Sequence, residues 1–140
     1  MAKCKITFIG GGHMARALVR GLVNAGYDSS CIMVTSRSQE KLVYFQRELA
    51  VKVSLDNSEA VKFADIVFLC VKPQQMSALC SELKGCVSKR QLVVSIAAGL
   101  SLSQVGEWLP QAAIVRLMPN LAVSIGQGVV GVCVGEHGLL

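Results

Sequence analysis

Hydrophobic positions in this chain alternate between two rhythms. Short, nearly continuous apolar runs predict buried strands. Stretches in which apolar residues recur every three or four positions predict amphipathic helices. The first run (Ile6, Phe8, Ile9) enters three consecutive glycines, after which Ala15, Leu18, Val19, Leu22 and Val23 recur at helical spacing until Gly26 closes the segment as a C-cap. Cys31 to Thr35 reads as a second strand, and Gln39 to Ala50 as a helix with Leu42, Val43, Phe45 and Leu49 on its apolar face. A short strand at Val51-Lys52-Val53 leads to Asp56-Asn57-Ser58, a loop and N-cap for a brief helix through Phe63. The run from Ala64 to Val71 is the most apolar and predicts a central parallel strand. Beyond it come a helix (Gln75 to Leu83), a strand (Gln91 to Ile96) and a helix from Leu102 to Leu109 capped by Ser101. A strand at Ala113 to Met118 is followed by a turn around Gly126 and Gly128, then a last strand from Val129 to Val134.

Strand–helix alternation of this kind predicts a Rossmann-like, doubly wound α/β fold with a mostly parallel sheet. The length of 140 residues predicts a single domain, residues 1 to 140. Composition agrees: 52% of residues are hydrophobic, only 16% charged and 5% aromatic, which suits a sheet covered on both faces. The formal charge of +5 raises nucleic acid as a partner. Lysines and arginines are scattered, however, with Lys89-Arg90 the one adjacent pair, so an anionic small molecule accounts better for the charge. The six cysteines form no CxxC pair, and His13 and His137 add no metal-ligand spacing. Cysteines inside apolar strands read as free thiols in a reducing, cytoplasmic compartment. The chain enters a strand at once, which predicts no signal peptide, and the uncharged stretch from Leu117 to Gly135 holds Pro119, Asn120 and four glycines, a poor membrane span.

The chemistry concentrates at Gly10-Gly11-Gly12-His13-Met14-Ala15, which has the form G-x-G-x-x-A. Between a strand and a helix this is the dinucleotide fingerprint. The first glycine permits the tight turn, Gly12 admits a pyrophosphate to the backbone, and Ala15 lets helix and strand pack closely. The free amides at the helix start then face the phosphates. The end of the second strand selects the cofactor. No Asp or Glu lies between Asp28 and Glu40 to hold a ribose 2′-hydroxyl. Ser36 and Arg37 can instead receive a 2′-phosphate, which favours NADPH over NADH, the alternative being a solvated turn. Asn57 either caps its helix or reaches the adenosine side. Lys72, just past the central strand, either lines the cofactor site or sits in solvent. Ala97-Ala98-Gly99 leaves room for a flat ring.

Taken together, Phe8 to Ala15, Ser36-Arg37, Val71-Lys72-Pro73-Gln74, Ser95-Ile96-Ala97-Ala98-Gly99-Leu100-Ser101 and Arg116-Leu117-Met118-Pro119-Asn120 resemble the N-terminal, NADPH-binding domain of pyrroline-5-carboxylate reductase. That resemblance implies hydride transfer from NAD(P)H to the carbon–nitrogen double bond of 1-pyrroline-5-carboxylate, the last step of proline biosynthesis. It implies a pyrophosphate loop from Ile9 through Gly10, Gly11, Gly12 and His13 to Met14. Ser36 and Arg37 would take the 2′-phosphate and Asn57 the adenosine ribose, while Cys70, Val71, Lys72, Pro73 and Ala97 would approach the ribose and nicotinamide. The partners implied are a small-molecule cofactor and substrate, with neither nucleic acid nor membrane. Two departures stand out. Leu121-Ala122 replaces the Thr-Pro that usually continues M-P-N, and the family's helical, dimer-forming domain with its substrate and catalytic contacts falls outside these 140 residues. This chain alone is therefore expected to be catalytically inactive and monomeric. Two other readings stay open: a non-catalytic NADP-binding module, and a related oxidoreductase with another substrate. The latter group includes β-hydroxyacid dehydrogenases and F420-dependent NADP reductases.

Overall fold

Burial sorts the apolar runs into one sheet and the amphipathic stretches into its two covering layers. The protein is described by a computed structural model covering residues 3–120 and, for the backbone alone, 131–134. In chain order the elements are β1 (Ile6–Ile9), α1 (His13–Asn24), β2 (Ile32–Thr35), α2 (Gln39–Glu48), β3 (Lys52–Ser54), α3 (Asn57–Phe63), β4 (Ile66–Leu69), α4 (Pro73–Leu83), β5 (Leu92–Ser95), α5 (Leu102–Trp108), β6 (Ala113–Met118) and β7 (Gly131–Val134). The strands form a seven-stranded sheet in the order β3-β2-β1-β4-β5-β6-β7. The first six are parallel, and β7 runs antiparallel to β6. This is the doubly wound, Rossmann-like α/β architecture the patterning predicts.

The winding order creates the crevice. From β1 the chain moves outward to β2 and β3, then returns to place β4 on the other side of β1. The two crossovers diverge at the carboxyl ends of β1 and β4, the topological switch point where ligands bind in such sheets. Register aligns these ends: Ile9 lies opposite Thr35 and Leu69, and Leu69 opposite Ser95.

Each face has its own core. Ile6, Phe8, Ile32 and Val34 pack with Ala15 and Val19 of α1 and with Leu42 and Phe45 of α2. Ile9, Val67, Leu69, Val93 and Ile114 pack with Met76, Leu79, Cys80 and Leu83 of α4 and Val105 of α5 on the opposite face. Phe8 and Phe68 stack across the β1–β4 pairing with ring centroids 4.6 Å apart. Gln91 seals one edge: its amide nitrogen donates to the carbonyls of Val61 (2.6 Å) and Ala64 (2.8 Å), and its oxygen accepts from the Ser88 amide (2.9 Å). Buried polar groups are thereby satisfied at the end of α3.

Several boundaries differ from the sequence expectation, each for a local reason. Gly26, with φ +93°, is the residue after the C-cap Ala25. The Tyr27 amide returns to the Leu22 carbonyl (3.0 Å) and the Gly26 amide to that of Val23 (3.0 Å), a Schellman ending. The second helix stops at Glu48 instead of Ala50, because Ala50 itself takes a left-handed conformation (φ 55°). Val43 is exposed and not part of the apolar face. The fourth helix begins at Pro73, two residues early: proline is suited to a first helical position, where no amide donor is needed. Asp56, not Asn57, caps α3, its carboxylate accepting from the Ser58 (2.9 Å) and Glu59 (3.4 Å) amides. The predicted turn at Gly126 and Gly128, and the Leu121-Ala122 pair, lie outside the described residues. Among the described residues, no helix is long and apolar enough to cross a membrane.

Candidate functional site

The glycine turn sits in the switch-point crevice and is held from both sides. The Gly10 amide donates to the Thr35 carbonyl (3.0 Å) on β2, while the Cys70 amide donates to the Ile9 carbonyl (2.8 Å). Gly10 adopts φ +107°, and a Cβ there would lie 2.6 Å from the Cys70 carbonyl oxygen and 3.3 Å from Val71 Cγ1. Only glycine fits where β1 turns against the exit of β4. Gly12 differs in kind. Its backbone is ordinary (φ −80°) and serves as the N-cap of α1, yet a Cβ there would meet nothing within 4 Å. The open side of this glycine lies at the helix start, where the amides of His13, Met14 and Ala15 have no acceptor within the helix. A cradle with unpaired donors and a positive dipole end is what a pyrophosphate needs.

At the end of β2, the Ser36 hydroxyl accepts from the Ser38 amide (3.1 Å), leaving its own proton to donate. Ser36 is half-buried and Arg37 exposed. Neighbouring Thr35 donates through its hydroxyl to Asn57 Oδ1 (2.6 Å), and Asn57 Nδ2 donates to Glu82 Oε1 (3.2 Å). Asn57 is therefore a bridge between β2 and α4, with one amide proton left over.

Across the crevice, Cys70 and Val71 are half-buried, and Lys72 and Pro73 exposed. The Lys72 amide donates to Gln75 Oε1 (3.3 Å), which ties the turn to the first turn of α4. Burial pushes the Cys70 thiol far above the ordinary range and so favours its uncharged form; its side chain packs against the core of Phe8, Ala15 and Phe45. Ala97 is buried just beyond β5, its amide 3.5 Å from Ser95 Oγ. The carboxyl edge of the sheet thus brings Ser36, the glycine turn, Cys70-Val71 and Ala97 into one row, in the order β2, β1, β4, β5.

A family model described as NADP oxidoreductase coenzyme F420-dependent matches residues 5–99, from the start of β1 through the Ala97-Ala98-Gly99 turn. The chain belongs to that family. Among curated proteins it is 37% identical over 134 residues to the pyrroline-5-carboxylate reductase of Vibrio alginolyticus, covering 95% of this chain and 49% of that protein. Among solved structures it matches a pyrroline-5-carboxylate reductase from Coxiella burnetii at 41% identity and TM-score 0.90, over 97% of this chain and 51% of that one. A pyrroline carboxylate reductase from Plasmodium falciparum, with NADP bound, matches at 25% identity and TM-score 0.86, over 97% and 50% of the two chains. The resemblance carried by the motifs is thus sustained along nearly the whole chain. The chain spans about half the length of the relatives it matches.

Within this NADP-oxidoreductase fold, two features escaped the sequence reading. Thr35 and Glu82 hold Asn57 from either side, and a threonine ending a buried strand gave no signal of that pairing. The second is a group of cations beside the glycine turn. The Cβ position of Gly11 lies 3.4 Å from Ser36 Cβ, 3.7 Å from Lys41 Cβ and 3.3 Å from the Phe45 ring, and the Arg16 guanidinium stacks 3.7 Å above the Tyr44 ring. These residues come from separate helices at spacings no motif records.

Proposed function

We propose that this chain is the NADP(H)-binding part of a pyrroline-5-carboxylate reductase, holding the hydride donor that reduces the carbon–nitrogen double bond of 1-pyrroline-5-carboxylate to give proline. The observation that carries this reading is the open Gly12 cradle at the start of α1, placed at the β1–β4 switch point. Similarity to named reductases along nearly the whole chain supports the substrate.

In this reading the backbone from Ile9 to Met14 binds the pyrophosphate. Ser36 donates its free hydroxyl proton and Arg37 its charge to the 2′-phosphate. Asn57 offers its remaining amide proton to the adenosine ribose. Cys70, Val71, Lys72 and Pro73, with Ala97, form the wall against which ribose and nicotinamide are positioned. When bound, the cofactor supplies the hydride. A soluble, cytoplasmic setting fits the free thiols of Cys4, Cys31, Cys70, Cys80 and Cys86.

Titration of the purified protein with NADPH and NADH tests the reading. NADPH is expected to bind, with NADH about tenfold or more weaker, the 1.4 kcal/mol or more that one charge-assisted contact supplies. The variant Gly12→Val is the control: φ at this position suits any residue and a Cβ there meets nothing within 4 Å, so the fold should survive while both nucleotides are lost. A folded Gly12→Val protein that still bound NADPH would overturn the proposal.

A further inference from the structure

His13 is the one ionisable side chain on the glycine turn, and we propose that it takes up a proton when the dinucleotide pyrophosphate seats, so that cofactor affinity rises as pH falls. The inference rests on the dinucleotide reading above and adds a regulatory input to that site.

Three observations converge. The first is position. His13 is the first residue of α1, directly after the Gly12 N-cap. Its own amide is one of the donors left over at the helix start, and its imidazole hangs three bonds from that nitrogen. A pyrophosphate held by these amides therefore lies within the roughly 8–10 Å over which charges act in ordinary salt, whichever rotamer the ring takes. The second is freedom. His13 is exposed, and its imidazole makes no hydrogen bond or ion pair among the described residues. A Cβ on neighbouring Gly12 would meet nothing within 4 Å, so that side of the turn is open. The ring is free to turn to an anion and, once protonated, to donate from either nitrogen. The third is exclusivity. Histidine is the side chain whose ordinary charge change falls between about pH 5 and 8, and His13 is the one histidine among the described residues. The charged groups on the elements bordering the turn are Arg16 one turn along α1, Arg37, Glu40 and Lys41 around the start of α2, and Lys72 ahead of α4. Side chains of these kinds ordinarily keep one charge state across that range, and burial favours the uncharged Cys70 thiol. Linkage gives the sign. An anion seated beside the imidazole favours imidazolium, so the complex holds more protons than the free protein in this range. Affinity therefore climbs as pH falls through it and is flat above it. Because the pyrophosphate is common to both cofactors, the effect is the same for NADPH and NADH and leaves their ratio alone.

The test uses ADP-ribose, which carries the pyrophosphate without the 2′-phosphate, a monoester that itself titrates near about pH 6. Its dissociation constant is measured from about pH 5.5 to about pH 8.5 at one ionic strength for the parent protein, His13→Gln and His13→Lys. Calorimetry in two buffers of different ionisation enthalpy counts the protons taken up, and NADPH is run in parallel. The parent is expected to bind ADP-ribose about five- to tenfold more tightly at the acid end, the gain of one charge-assisted contact, with proton uptake greatest in mid-range. His13→Gln should keep the parent's high-pH affinity throughout and His13→Lys its acid-end affinity, neither taking up a proton with ADP-ribose. His13 is exposed, so both variants should unfold at the parent's temperature. A parent affinity that does not move with pH overturns the proposal and leaves the dinucleotide site standing. So does a slope that survives in His13→Gln, or equal proton uptake by parent and His13→Gln on binding NADPH. A parent protein that binds neither ADP-ribose nor NADPH at any pH overturns both.

Discussion

The Cβ that Gly10 lacks would sit 2.6 Å from the carbonyl oxygen of Cys70, closer than real Cβ atoms come to any backbone. The contact joins the exits of β1 and β4, the two strands whose divergence opens the crevice. Gly10→Ala therefore carries two penalties, a left-handed backbone (φ +107°) and an overlap with backbone that cannot swing away. The expected loss is on the order of 2–5 kcal/mol, read as a fall in the urea midpoint. A protein within 1 kcal/mol of the parent, on the roughly half-unit scale of neutral surface changes, would mean that the β4 exit can yield.

Ala50 presents the opposite case. It occupies a left-handed conformation (φ 55°) after α2, the role Gly26 fills after α1, and is exposed. Ala50→Gly relieves the Cβ strain at that turn but adds freedom to the unfolded chain. Relief is expected to win by about 0.5–1 kcal/mol. Thermal unfolding checks the sign: a lower midpoint than the parent would show that unfolded-state entropy dominates.

The contrast explains how far the sequence could be read. Gly10, Gly12 and Ala15 announce a strand–turn–helix: Gly10 answers to a local steric demand, Gly12 leaves the helix start open and the small Ala15 is buried in the core. The buried runs announced a parallel sheet because apolar continuity is itself the signature of two covered faces. Ala50 was hidden because alanine normally continues a helix, and only the return of the Val51 amide to the Phe45 carbonyl (3.4 Å) ends it there. The apolar spacing starts the fourth helix at Gln75, whereas Pro73 initiates it, a residue that needs no amide donor at a first helical position. Asn57 was placed near the cofactor, but not its bridge from Thr35 to Glu82, since partners 22 and 25 residues away leave no local trace.

Acid stability should depend on Asp28. The Ser30 hydroxyl (2.7 Å) and amide (3.0 Å) donate to its carboxylate and Lys3 pairs with it (3.2 Å), holding its pKa down from 3.8 to about 2. A carboxylate depressed on folding stabilises the native state fully above its unfolded pKa, and that contribution drains away as pH falls through the folded value. The window is therefore about pH 4 down to about 2. Asp28→Asn should flatten the decline of the unfolding midpoint across that window. The same slope in both proteins would show that Asp28 is equally depressed in the unfolded chain.

Under the proposed reading, Asn57 offers a test of ribose recognition apart from phosphate recognition. Thr35 and Glu82 engage its oxygen and one amide proton, which fixes the amide plane and leaves a single donor over. A contact to the adenosine ribose is common to NADPH and NADH, so Asn57→Ala should weaken both to the same extent, by about five- to tenfold for one neutral hydrogen bond. Removing Thr35's hydroxyl (Thr35→Val) should give a smaller loss of the same kind, because the amide is then free to turn. Neither variant should alter the NADPH-to-NADH ratio. A change confined to NADPH would instead place Asn57 on the 2′-phosphate, whereas no change in either would make the bridge between β2 and α4 its whole role. Paired titrations of the two cofactors distinguish these outcomes in one experiment.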